Sequence, residues 1–189
     1  WGCLVGSEMG KRDSGYVPLG AIAAHDRIVE PVLDAGGFQH GYTYAGNPLA
    51  CAAGLAVIGE IEGLDLIANA ERMGELLKSR LEDLMQRYSF IGDVRGKGLL
   101  LAFEFVSDQR TMVPLPASLA AYDRFVNIAY DNGLIVYSRR TRGGYEGDHI
   151  LVCPPMIVNE SQIDEILEVL DASLRQFADE VQPSLPRSA

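Results

Sequence analysis

The chain has 189 residues, 48% of them hydrophobic and 22% charged, with a formal net charge of −10. That length supports one substantial core or two small ones without disulfide or metal staples. No apolar run is long enough for a transmembrane helix and no signal peptide is visible, so the sequence predicts a cytoplasmic protein with no membrane partner. Apart from the cluster Arg139, Arg140 and Arg142 the basic residues are scattered, which leaves no footprint for nucleic acid. The three cysteines, Cys3, Cys51 and Cys153, lack metal-ligand or redox spacing and read as reduced, buried thiols.

In chain order, Trp1 to Gly20 is irregular and glycine-rich, and the chain's opening at Trp1 predicts further sequence upstream. "LGAIAAH", Leu19 to His25, is a short apolar run expected to form a strand, and "DRIVEPVL" after it reads as a brief helix or turn interrupted by Pro31. Asp34 to Pro48 holds four glycines and one proline in 15 residues, the mark of a long loop of the kind that carries function. Asn47 and Pro48 form a helix start, with Asn47 capping free amides and Pro48 at the first helical position. The helix that follows, to about Glu62, contains Ala50, Ala52, Ala53, Gly54 and Ala56, small enough for another backbone to approach closely.

Leu64 to Tyr88 repeats apolar residues near every 3.6 positions and predicts a long amphipathic helix. "IGDVRGKGLLLAFEFV", Ile91 to Val106, reads as strand, glycine turn and strand, and the change of composition near Tyr88 suggests a domain boundary there. A helix over 117–131, a strand over Gly133–Arg139 and a strand in Asp148–Val158 ending in two prolines follow. Asn159, three residues before Gln162, makes a capping box for a last helix with apolar spacing from Ile163 to Phe177. The tail "QPSLPRSA", from Gln182 on, reads as frayed. The pattern predicts an α/β chain whose C-terminal half is α+β.

"SGYVPLGAIAA", "HGYTYAGNPLACAAGLAVI", "VRGKGLLLAFEFV" and "GDHILVCPPMIV" with "IDEILEVL" resemble, in this order, successive signatures of the class III, fold-type I aminotransferases that use pyridoxal 5'-phosphate. The stretch "YSRRTRGGYEGDH" is most similar to the ω-amino-acid and amine:pyruvate branch. The resemblance covers the C-terminal part of such proteins. It implies that residues 1–88 are the end of the cofactor-binding large domain with an interface loop and linking helix, that 89–182 are the small C-terminal domain and that 183–189 are a flexible tail. An upstream portion would then supply the glycine–serine phosphate loop, the ring stacked on the pyridine and the carboxylate facing its nitrogen.

The resemblance also implies roles for individual residues. The cofactor-binding lysine of the family stands just before the "GY.PLG" stretch, so Lys11 is the candidate catalytic residue; its amine would bind the cofactor and later carry the proton. Gly15 follows Lys11 after four residues where the family pattern has five, and a solvated surface lysine stands beside the catalytic reading. Tyr42 and Thr43 match the loop that reaches the cofactor phosphate of a neighbouring subunit, which implies a homodimer. An arginine of the small domain holds the substrate carboxylate, and Arg140 is the candidate among Arg139, Arg140 and Arg142. On a strand Arg139 and Arg140 would face opposite ways. The resemblance implies transfer of an amino group from an amine or ω-amino acid to a keto acid such as pyruvate. A catalytically inactive fragment acting only through dimerisation, and an aminomutase or racemase of the same fold, are the alternatives.

Overall fold

The computed structural model describes residues 16–20, 24–38, 41, 43–141 and 146–181. The chain divides into two compact units between Asp65 and Leu66. This division falls one helix before the boundary expected at Tyr88, because the helix after Asp65 buries its apolar face within the second unit.

In the first unit, helix α1 spans Asp26–Asp34 and runs through Pro31, which was expected to interrupt it. His25 caps α1, its Nδ1 accepting from the Arg27 amide at 3.2 Å. The strand expected over Leu19–His25 is not found at its described residues, and 21–23 lie outside them. Helix α2, Pro48–Gly63, starts as its sequence dictates: Asn47 Oδ1 accepts from the Ala50 amide at 3.1 Å, and Pro48 takes the first position.

The second unit begins with helix α3, Leu66–Arg87, which buries Met73, Gly74, Leu77, Leu81 and Leu84 on one stripe. Strands β1 (Ile91–Lys97) and β2 (Leu100–Asp108) form the expected hairpin around a Gly98–Leu99 turn. The two-residue strand β3, Val113–Pro114, pairs with β2 and was not foreseen. The helix predicted over 117–131 is divided, a 3-10 turn over Ala117–Leu119 giving way to α4, Ala121–Asp131, because Ala120 adopts a left-handed conformation with φ 44°. Strands β4 (Tyr137–Thr141) and β5 (Glu146–Val152) follow, and helix α5, Glu160–Val181, closes the unit. Its capping box is reciprocal: the Gln162 amide donates to Asn159 Oδ1 at 3.0 Å, and the Asn159 amide donates to Gln162 Oε1 at 3.1 Å.

The sheet order is β1-β2-β5-β4, each neighbouring pair antiparallel. Val94, Phe103 and Ile150 lie in one cross-strand row and are buried against the helices. Helix α3 packs on β1 and β2, α4 packs on β4 and β5, and α5 packs on both helices. At the centre Phe105 stacks on Phe177 at 4.8 Å between centroids, and Phe125 meets both rings edge-on at 5.4 and 5.7 Å. Each of these fully buried rings contributes about 2–3 kcal/mol by leaving water. The opposite sheet face alternates out of this core: one row is Asp93, Glu104, His149 and Arg139, and the next is Arg95, Ala102, Leu151 and Tyr137.

Two glycines admit close packing. A Cβ on Gly74 of α3 would stand 2.6 Å from Gly98 Cα, so helix and hairpin turn touch backbone to backbone. Gly96, at φ 139°, has a conformation that other residues avoid, and a Cβ there would run into the Leu100 carbonyl.

Cys51 and Cys153 are exposed free thiols, a correction to the buried ones expected. Cys51 lies on an outward side of α2, and Cys153 follows the last residue of β5, where the chain leaves the sheet. Cys3 lies outside the described residues. Among the described residues no helix is long and apolar enough to cross a membrane.

Candidate functional site

Lys11 and Tyr42, singled out for the cofactor, lie outside the described residues, as does Arg142. Thr43 opens the turn Thr43–Gly46 immediately before α2, and its side chain is exposed. The turn is shaped by Gly46 at φ 71° and by the Asn47 amide donating to the Tyr44 carbonyl at 3.1 Å. From Gly41 to Gly59 the sequence contains no acidic side chain. An exposed hydroxyl beside turn amides, with no carboxylate nearby in the chain, is a donor set that fits an anionic phosphate. Beside the turn lies an apolar groove of about 330 Å³ lined by Val17, Pro18, Tyr44, Asn47, Leu49 and Ala50.

Helix α2 behind this turn is unusual in exposing much of its apolar surface. Leu49 is 74% and Leu55 72% exposed, and Gly54 is the only buried residue of the helix. Gly54 has Leu19 against it, where a Cβ would collide with the leucine side chain. No charge occurs between Pro48 and Gly59. A helix apolar on all sides is ordinarily covered by other protein surface.

The arginines of β4 point in opposite directions, as strand geometry requires. Arg139 belongs to the row on the open sheet face, is exposed, and has its guanidinium 5.0 Å from the Tyr137 ring centroid. Arg140 turns towards the helices instead. Its Nε donates to Asp148 Oδ1 at 2.5 Å and its Nη2 to Asp148 Oδ2 at 2.9 Å, a bidentate fork in which the side chains are 12% and 3% exposed. The guanidinium also lies 4.8 Å from the Tyr122 ring of α4. The Asp148 hydrogen bonds hold it charged above even the ordinary arginine range. A register shift between Arg139 and Thr141 and the positive φ of Gly147, 82°, make a bulge in β5 opposite Arg140.

Asp148 and Tyr122 are missing from any reading of the sequence alone. The available signal was slight: one acid after a glycine at the mouth of the apolar run "HILVC". Arg95 pairs with Asp93 at 2.7 Å and Glu104 at 2.6 Å across β1 and β2. A second network joins α3 to α5: Tyr88 Oη donates to Asp171 Oδ1 at 2.8 Å, Arg87 pairs with the same oxygen at 2.8 Å, and Arg175 pairs with Asp171 Oδ2. Burial pushes the Asp171 carboxyl up, but these hydrogen bonds and charges outweigh it and leave the group below the ordinary carboxylate range.

Solved structures of the same architecture are transaminases of fold type I. A transaminase from the marine bacterium Virgibacillus superposes with a TM-score of 0.82 and 30% identity over 88% of this chain and 38% of that one. An amine transaminase from an uncultivated Pseudomonas species, solved in its pyridoxal-phosphate-bound form, gives 0.77 and 35% identity over 86% and 36%. Residues 8–174 match the model of the class-III aminotransferases, and the chain belongs to that family. Among curated relatives, the uncharacterized aminotransferase YodT of Bacillus subtilis is 33% identical over 85% of this chain and 37% of its own length. The leucine/methionine racemase of Thermococcus litoralis is 34% identical over 85% and 33%. The chain thus spans about a third of the length of the curated relatives it matches.

Proposed function

We propose that the chain is the C-terminal part of a pyridoxal-phosphate-dependent aminotransferase that moves an amino group from an amine or ω-amino acid to a keto acid such as pyruvate. The observation that carries this reading is the family match over residues 8–174, supported by structural neighbours that are themselves amine and ω-transaminases. Pyridoxal phosphate, when bound, supplies a ring that accepts the electrons released as the amino group is transferred.

This chain's residues would divide the remaining work. Thr43 would donate its hydroxyl to the phosphate, and Tyr42 stands beside it in sequence. Lys11 Nζ would hold the cofactor and carry the proton of the transfer. A β4-region arginine meets the substrate carboxylate, the role the sequence gives to Arg140. The exposed apolar surface of α2 favours a homodimer in which the Thr43 turn serves a partner's site. The enzyme would work in the cytoplasm.

A racemase or aminomutase is the second reading, favoured by the leucine/methionine racemase among the relatives. The test is amino transfer by the holoenzyme with and without pyruvate. Product formation that depends on the keto acid supports the aminotransferase, and interconversion of substrate without an acceptor overturns it. Thr43→Ala is expected to weaken cofactor retention more than it slows turnover; unchanged cofactor affinity removes the role given to Thr43.

A further inference from the structure

Asn132 and Gly133 stand exposed at the carboxyl end of α4 and are the only Asn-Gly pair in the sequence; Asn47, Asn69, Asn127 and Asn159 precede Pro48, Ala70, Ile128 and Glu160. Asparagine before glycine is the pairing in which the next backbone nitrogen most readily attacks the side-chain amide, because glycine puts no Cβ in the way. The folded chain holds both reactants. The Gly133 amide, at φ 90°, donates to the Tyr130 carbonyl at 2.9 Å and the Leu134 amide to the Ala129 carbonyl at 2.8 Å, a Schellman end to the helix. The Asn132 side chain is tied across to α5, its Nδ2 donating to Ser173 Oγ at 3.1 Å and to Gln176 Oε1 at 3.4 Å. Ser173 is fully buried and donates its own hydroxyl proton to the Val169 carbonyl at 2.7 Å, which leaves its oxygen as acceptor for Asn132. Asn132 has ψ 0°, where its own amide nitrogen, not Cβ, eclipses the Gly133 nitrogen. Closing a ring onto Cγ therefore needs rotation about the Asn132 Cα–C bond, and that rotation breaks the Gly133 and Leu134 hydrogen bonds.

We propose that Asn132 is a deamidation site which the folded end of α4 keeps closed, and that its conversion loosens α4 from α5. When the helix end opens, the Gly133 nitrogen bonds to Asn132 Cγ and gives up its proton, and the Cγ–Nδ2 bond breaks so that the amide leaves with that proton as ammonia. Water then opens the cyclic imide at either carbonyl, leaving aspartate or isoaspartate; nothing is oxidised or reduced. The product carboxylate has no proton to donate to Ser173 or Gln176. It also sets a second acidic side chain beside Asp131 at the carboxyl end of the helix, where negative charge is unfavourable. In the isoaspartate form the main chain before β4 is longer by one methylene. An opening that was reversible thereby becomes permanent.

The test incubates the full-length protein in warm, mildly alkaline buffer, folded or unfolded in guanidinium chloride, and follows each asparagine by peptide mapping with mass spectrometry. In the unfolded chain Asn132 is expected to convert to aspartate and isoaspartate ahead of Asn69, Asn127 and Asn159. In the folded protein its conversion should be at least about tenfold slower, since it waits on local opening. Ser173→Ala and the exposed Gln176→Ala each remove one acceptor on α5, and folded-state rates between the two limits are expected. Asn132→Asp, which carries the product charge, is expected to lower the melting temperature by roughly 3–6 °C. An unfolded chain in which Asn132 is not the first to convert overturns the site. Equal rates in folded and unfolded protein, or a folded rate that neither α5 variant raises, overturn the closure by α4, and an Asn132→Asp protein as stable as the wild type overturns the loosening.

Discussion

Gly74→Ala tests how α3 is seated on the sheet. In an open helix this change would add about 1 kcal/mol of stability, since alanine restricts the unfolded chain and favours the helix. Here the new methyl would stand 2.6 Å from Gly98 Cα, with the carbonyl of that residue closer still. Nothing at that point is the end of a flexible side chain. Gly98 itself is held at φ 54° in the turn between β1 and β2, so relief requires α3 or the hairpin to move as a body. Such overpacking costs about 1–3 kcal/mol in an ordinary core and lies at the upper end where backbone faces backbone. Subtracting the helix gain leaves a net loss of about 2 kcal/mol, or a fall in Tm of roughly 5–10 °C for a unit of this size. Urea unfolding followed by far-UV circular dichroism measures it, with the exposed Glu75→Ala as a control expected to change stability by under about 0.5 kcal/mol. A Gly74→Ala protein as stable as the wild type would mean that α3 does not rest on the Gly98 turn.

Phe177→Ala, which removes the ring stacked on Phe105, is expected to cost about 3–5 kcal/mol by chemical denaturation, and a loss under about 1 kcal/mol would contradict the aromatic centre of the core. Asp171→Asn should lose about 1.5–3 kcal/mol at pH 7, because an amide oxygen still accepts from Tyr88 but the charge that pairs with Arg87 and Arg175 is gone. Because the folded Asp171 is held below its unfolded value of about 4, its contribution is complete above that pH and fades as pH falls through the folded value. The gap between wild type and Asp171→Asn should therefore narrow in melts below about pH 4; a gap that stays constant from pH 7 to 3 refutes the pairing. Ala120→Gly should gain about 0.5–1 kcal/mol by relieving the left-handed conformation before α4, and a thermal melt showing a loss would contradict it.

What the sequence by itself determined was local. The Asn47–Pro48 start, the α3 and α5 stripes, the Asn159–Gln162 box and the β1–β2 hairpin each depend on residues a few positions apart, and capping and periodicity act over that range. The same local signals failed elsewhere. Pro31 sits inside α1, Ala120 divides a helix, and Cys51 and Cys153 are exposed although thiols are usually buried. The family could be read from four motifs in order, because backbone-critical loops leave a recognisable composition of glycine, proline and tyrosine. The fates of Arg139 and Arg140 could not. Alternation says that neighbours on a strand face opposite ways, but which of them faces the helices depends on register, and register here follows from the Gly147 bulge, the buried Asp148 and the Tyr122 ring 18 residues before Arg140. Only tertiary structure brings those three to one guanidinium.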